Sequence, residues 1–215
     1  MRISEIFVSI QGEGVWMGQP MVFVRTAGCN LRCKWCDTPY ALDPESGEEM
    51  SVEEVLERIW ALDGAVLGHV CVTGGEPLIQ KDIYKLLYAL LDRNMHVVLE
   101  TNGSIPVREL PCEELLTTSM DIKTPSSGMA HMSHPEYIED LGPKDQVKFI
   151  IADEEDYEYA INVLDEHPPP CPVIFTPVGG VDLRWLAEKA VEDRLGGVRV
   201  LPQLHKIIWG EERGR

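Results

Sequence analysis

Three cysteines stand on one short stretch, Gly28-Cys29-Asn30-Leu31-Arg32-Cys33-Lys34-Trp35-Cys36-Asp37-Thr38, in the spacing C-x3-C-x2-C. Thiolates this close on one tight loop can hold three corners of an iron–sulfur cube and leave the fourth iron without a protein ligand. An open iron can take the amino and carboxylate groups of a methionine-type ligand, the arrangement that radical chemistry with S-adenosylmethionine (SAM) requires. A structural zinc site fits less well, because it wants four closed ligands, usually two C-x2-4-C pairs, and no second pair follows. Cys71, Cys112 and Cys171 are scattered and read as packing or surface thiols.

A loop of this kind needs a frame. Apolar runs predict strands at 5–10, 21–26, 70–73, 95–99, 115–120, 146–151, 173–175 and 198–201. Helical spacing predicts helices at 51–63, 80–93, 154–166 and 182–194. Ser51 and Glu54 form a capping box for the first, Asp182 can cap the last, and the run Pro168-Pro169-Pro170 stops the third. The segment 104–114 holds Pro106 and Pro111 and is too short and broken for a normal crossover helix. Alternating strands and helices imply a parallel sheet with right-handed crossovers. About six such strands follow the cysteines, which suits an α/β fold: a partial, open TIM-like barrel with a reduced helix count. The chain reads as a single domain over 1–215, with N-terminal strands and a binding loop at 1–28, the cysteine loop at 29–38, and the partial barrel and tail at 39–215.

The polar motifs fall at the carboxyl ends of these strands: Gly74-Gly75-Glu76, Glu100-Thr101-Asn102-Gly103, Asp121 with Lys123, Thr176, and Gln203-Leu204-His205. That edge is where barrels and open α/β sheets bind ligands. Asp121 and Lys123 share a strand face; Lys123 could hold a carboxylate or ribose oxygen, or close a rim salt bridge. Glu100 and Asn102 could touch ribose or substrate, while Asn102-Gly103 also reads as a turn. His205 is a candidate hydrogen-bond donor or proton shuttle, or a structural histidine. Arg25, just before the cysteines, could fork onto a carboxylate or lie on the surface. Gln11-Gly12-Glu13-Gly14 lets backbone approach a ligand closely, or simply turns a hairpin.

Composition narrows the choice. The 215 residues suffice for one domain with a substantial core, and 44% hydrophobic with 26% charged residues are ordinary globular values. A net charge of −17 argues against a nucleic-acid partner, which demands clustered Lys and Arg. No apolar run approaches the ~18 residues of a membrane helix. The opening Met1-Arg2-Ile3-Ser4-Glu5 carries no secretion signal, so the thiols are expected in a reducing cytoplasm.

The cysteine loop resembles the signature of the radical SAM superfamily, and Thr73-Gly74-Gly75-Glu76-Pro77 resembles its glycine–acid motif, with backbone and Glu76 supporting the SAM amino group. A narrower resemblance spans nearly the whole chain. Glu5-Ile6-Phe7-Val8-Ser9-Ile10-Gln11-Gly12-Glu13-Gly14, Arg25, Cys36-Asp37-Thr38 and Gln203-Leu204-His205-Lys206 resemble the 7-carboxy-7-deazaguanine synthases of the 7-deazapurine pathway to queuosine or archaeosine. This resemblance implies a carbon–nitrogen lyase that turns 6-carboxy-5,6,7,8-tetrahydropterin into 7-carboxy-7-deazaguanine with loss of ammonia, started by a 5′-deoxyadenosyl radical that takes hydrogen from C6. It implies a 4Fe-4S cluster on Cys29, Cys33 and Cys36, regenerated SAM, and Mg2+ at Thr38 assisting the substrate carboxylate. Ile10, Gln11, Gly12, Glu13, Arg25 and Thr73 match substrate contacts. Trp35, Asp37, Gly75, Glu76, Asp121, Lys123 and Thr176 match SAM contacts. An external electron donor of flavodoxin or ferredoxin type and a homodimer covering the barrel's bare side complete the expectation.

Two departures stand out. Asp121-Ile122-Lys123 falls where many members have Ser-Pro-Lys, and the tail 209–215 runs on past the Gln-x-His segment, with no role carried over to it. Two rival readings share the cysteine loop. A glycyl-radical activating enzyme gives no reason for the Gln-Gly-Glu-Gly opening, and a non-catalytic electron carrier would close all four irons.

Overall fold

Side-chain alternation decides which face of each strand meets the helices. The computed structural model describes residues 1–214; Arg215, the last residue of the tail, lies outside the described residues. The chain runs β1 (Arg2–Ile10), β2 (Pro20–Thr26), β3 (Glu48–Glu49), α1 (Val52–Ala61), α2 (Gly64–Leu67), β4 (His69–Gly74), α3 (Ile83–Leu91), β5 (His96–Thr101), β6 (Leu116–Ile122), β7 (Gln146–Ile151), α4 (Glu154–Glu166), β8 (Val173–Pro177), α5 (Arg184–Glu192), β9 (Val198–Val200) and α6 (Leu204–Trp209). Among the described residues, nine strands form one sheet in the order β3-β1-β2-β4-β5-β6-β7-β8-β9. The hairpin β1–β2 and the β1–β3 pair are antiparallel, and every pairing from β2 to β9 is parallel. The end strands β3 and β9 do not meet, so the sheet is an open barrel. The six parallel strands expected after the cysteines are β4 to β9.

Val22, Val24, Val70, Val72, Val97 and Leu99 point outward into the main core, against Val55, Ile59, Ile83, Leu86, Leu87 and Leu90 of α1 and α3. The alternate residues Met21, Phe23, Cys71 and Val98 point inward and, with Phe7 and Trp16, fill the lower barrel. Along the middle of β2, β4 and β5 the sheet is therefore apolar on both faces, as buried parallel sheets are. Polar residues enter the inner face at the amino ends of strands, where His69 of β4 and His96 of β5 stack on each other beside Trp16 and Gln146 opens β7, and again toward the carboxyl ends.

Ser51 and Glu54 do form the capping box of α1. Other local expectations shift. The helix expected over 80–93 begins at Ile83, after a separate 3-10 turn at Pro77–Ile79. Gln80 is held out of it, donating from its side chain to Ala27 O at 2.8 Å and accepting from Arg2 N at 2.9 Å. Asp182 is not a cap: α5 starts at Arg184 with Leu183 at its N-cap and no side-chain cap bond. The segment 104–114 holds neither helix nor strand. The short elements β3, α2 and α6 carry too few residues to show a period in the sequence.

Candidate active site

One cavity opens at the carboxyl ends of the strands. Its walls gather Ile10, Gln11, Gly12, Glu13, Arg25, Cys29, Cys33, Trp35, Cys36, Asp37, Thr38, Thr73, Gly75, Asp121 and Lys123, together with Glu100, Asn102 and His205. The positions come from five strand ends, two loops and, for His205, the start of α6, so only the tertiary fold brings them together.

The cysteine loop leaves β2 without regular structure, and its three thiols are free and half-buried. Burial pushes the Cys29 and Cys33 thiols up, and the Lys123 ammonium opposes this at both. Leu31 N donates to Cys29 Sγ at 3.4 Å and Asn102 Nδ2 does so at 3.7 Å. Three converging soft thiolates, with a cation and amide donors beside them, fit an iron–sulfur cluster.

The glycines of the Gly-Gly-Glu motif have a packing reason. A Cβ on Gly75 would stand 2.1 Å from Gly28 O, and one on Gly74, at φ +151°, would stand 2.3 Å from Thr26 Oγ1. Gly75 N donates to Thr26 O at 3.0 Å and Glu76 N to Gly28 O at 2.8 Å, so the end of β4 seats the start of the cysteine loop backbone to backbone.

Glu76 and Thr176 do not line the cavity, against the expectation of direct ligand contact. The Glu76 carboxylate is fully buried and accepts from Leu78 N at 2.9 Å, Thr101 Oγ1 at 2.9 Å and Asn102 N at 2.7 Å. Burial pushes its carboxyl up to about 7 against these donors. Its visible work is to tie the exit of β4 to the exit of β5. Thr176 is buried within β8.

The opposite wall is ionic. Arg25 Nε donates to Glu5 at 2.8 Å, and Tyr40 and Arg213 bind the same carboxylate at 2.9 and 3.0 Å. Glu5 thus engages Arg25 through Nε. Thr73 Oγ1 donates to Glu100 at 2.7 Å, and Gln11 Nε2 to its other oxygen at 3.1 Å. Glu13 meets Lys148 Nζ and accepts from Gln203 Nε2 at 2.7 Å. Burial alone would push the Glu13 carboxyl up; the Lys148 ammonium overrides it and holds it at about 2. Asp121 lies between Lys123 at 3.0 Å and Lys148 at 3.2 Å. Glu13, Asp37 and His205 approach within 4.8 Å, but the Gln203 amide bridges the two carboxylates and Lys148 neutralises Glu13, so this trio reads as a polar wall. Thr38 Oγ1, 3.8 Å from Cys36 Sγ, is a hard oxygen donor on the cavity surface, of the type magnesium takes.

The sequence profile of the Radical SAM superfamily matches residues 23–164. The 7-carboxy-7-deazaguanine synthase of Thermoplasma acidophilum is 39% identical over the full length of both chains. That of Chlorobaculum tepidum is 42% identical, over 99% of this chain and 96% of its own. The chain belongs to the radical SAM superfamily, among the 7-carboxy-7-deazaguanine synthases. The crystal structure of QueE from Escherichia coli matches the synthase's fold with a TM-score of 0.73, covering 94% of this chain and 93% of that one at 23% identity. Streptococcus suis SuiB bound to its precursor peptide SuiA shares the core more loosely, with a TM-score of 0.61 over 86% of this chain and 49% of that one at 15% identity.

Sequence reasoning passed over one buried group of the synthase's cavity. Lys148 was legible only as a strand residue, although the alternation Gln146, Lys148, Ile150 marks the inward face of β7. A lysine flanked by Val147 and Phe149 in a buried strand was the available signal.

Proposed function

We propose that this synthase converts 6-carboxy-5,6,7,8-tetrahydropterin into 7-carboxy-7-deazaguanine and ammonia. The reading is carried by one observation: the cysteine trio and the wall of Gln11, Glu13 and Arg25 face the same cavity. Cys29, Cys33 and Cys36 would hold the 4Fe-4S cluster, and Trp35, Asp37, Gly75, Asp121 and Lys123 would hold SAM beside it. Together the bound cluster and SAM supply a reducing electron and the carbon radical that takes a hydrogen atom from the substrate. The chain's own part is to bind, orient and exclude water. The Glu13 carboxylate and the amides of Gln11 and Gly12 suit the guanidine-like edge of a pterin. The terminal nitrogens of Arg25, whose Nε is engaged by Glu5, suit the substrate carboxylate, with Mg2+ at Thr38 completing the charge balance. Thr73 and Glu100, already hydrogen-bonded to each other, offer a second polar contact.

The enzyme works as one domain per chain in a homodimer whose partner covers the open side of the sheet. An external flavodoxin- or ferredoxin-type protein supplies electrons. A reducing cytoplasm suits its six free cysteines. Among the described residues no helix is long and apolar enough to cross a membrane.

The test is anaerobic. The cluster is reconstituted and SAM, a reductant, Mg2+ and the carboxypterin are added. Formation of 7-carboxy-7-deazaguanine with stoichiometric ammonia is expected. SAM cleavage to deoxyadenosine with no deazaguanine refutes the reading.

A further inference from the structure

Strand β7 buries a lysine whose side chain is only 4% exposed. An ammonium in that position is tolerated when carboxylates compensate it. Two do. One is Glu13, from the loop that leaves β1; the other is Asp121, its cross-strand neighbour on β6, at 3.2 Å. Asp121 binds Lys123 with its other oxygen at 3.0 Å, and Lys123 Nζ lies 5.9 Å from the centre of the Trp35 ring. A chain of alternating charge, Glu13–Lys148–Asp121–Lys123, therefore crosses the cavity floor from the Gln-Gly-Glu-Gly loop to the cysteine loop.

The loop carrying Glu13 needs such an anchor. Glu13 precedes a short 3-10 turn, makes no cap bond of its own, and sits between two strands with no helix to stiffen it. Gln11 at the loop's start ties to Glu100 of β5 at 3.1 Å and Trp16 at its far side to Thr117 of β6 at 3.2 Å, while the stretch between them is tied to β7: Glu13 to Lys148, and Val15 N to Gln146 Oε1 at 2.7 Å. Gln203 fixes the second oxygen of Glu13. Each oxygen of Asp121 answers one buried lysine, Oδ2 that of Lys123 and Oδ1 that of Lys148.

We propose that Lys148 is a positioning residue for substrate binding: it locks the Glu13 carboxylate in register with the guanidine-like edge of the pterin, and Asp121 holds Lys148 in turn. The inference rests on the pterin reading given above.

Steady-state KM and kcat for the carboxypterin are measured on the anaerobically reconstituted enzyme, its K148M and E13Q variants, and the double variant. K148M is expected to raise KM about 10- to 100-fold, the range for losing a charged hydrogen bond, with a smaller change in kcat. In the double variant the KM should match that of E13Q alone, because Lys148 acts through Glu13. Unchanged KM in K148M, a loss confined to kcat, or additive effects in the double variant each overturn the proposal. Should K148M fail to fold, K148Q, which keeps an amide donor in place of the ammonium, is tested against the same expectations. A wild-type enzyme that does not accept the carboxypterin overturns the function and this inference together; a wild type that turns over while the variants match it overturns the inference alone.

Discussion

Replacing Gly75 with alanine separates steric support from ligand contact. A Cβ there would lie 2.1 Å from Gly28 O, 2.5 Å from Gly28 C and 2.8 Å from Ala41 O, all backbone atoms. Carbon and oxygen rest no closer than about 3.3 Å, so the start of the cysteine loop must withdraw by roughly 1 Å. Withdrawal breaks the bonds from Glu76 N to Gly28 O and from Gly28 N to Ala41 O, both 2.8 Å. Two backbone pairs left unsatisfied, at about 1–3 kcal/mol each, cost the apo protein about 4 kcal/mol. For a chain of this length that lowers Tm by roughly 10 °C. The loop that moves is the one carrying Cys29, so the variant should also take up less iron and sulfide on anaerobic reconstitution. Urea unfolding of the apo protein and metal analysis of the reconstituted one give the two readouts. Wild-type iron content with an unchanged urea midpoint, the defect appearing only in SAM affinity, would refute the steric reasoning and leave Gly75 as a ligand contact alone.

Cys33→Ala should abolish SAM cleavage while shifting apo stability by less than about 1 kcal/mol, since the thiol is half-buried on an irregular loop; a variant that still cleaves SAM contradicts three-thiolate ligation. Thr38→Ala should weaken the response of turnover to Mg2+ more than it weakens cluster loading; an unaltered Mg2+ titration removes Thr38 from that role. The Glu13 carboxyl, held at about 2 in the folded protein against 4.5 as its ordinary value, contributes stability that is complete above about pH 4.5 and is lost as pH falls toward 2. Urea midpoints measured down this range should fall more steeply for the wild type than for E13Q, and parallel acid limbs would show that Glu13 does not carry the effect.

The chemistry of this protein was legible in one dimension wherever it depends on neighbours in sequence. The trio Cys29, Cys33 and Cys36 is a local loop, and its spacing alone names what three thiolates can hold. The capping box at Ser51 and Glu54, the inward rows of α3, and the carboxyl-end position of each polar motif follow from local periods of 3.6 and 2. Those periods, with alternating strands and helices, led to the open parallel barrel. Tertiary structure decided what long-range packing controls. Glu76 reads as a ligand acid beside two glycines, yet three donors, two of them from the end of β5 twenty-five residues away, enclose its carboxylate. Lys148 reads as one polar residue in an apolar strand; only the meeting of β6, β7 and the loop after β1 sets it between Glu13 and Asp121. No local pattern encodes either placement, because the partners come from separate elements whose register is fixed by burial of the valine and leucine faces behind them.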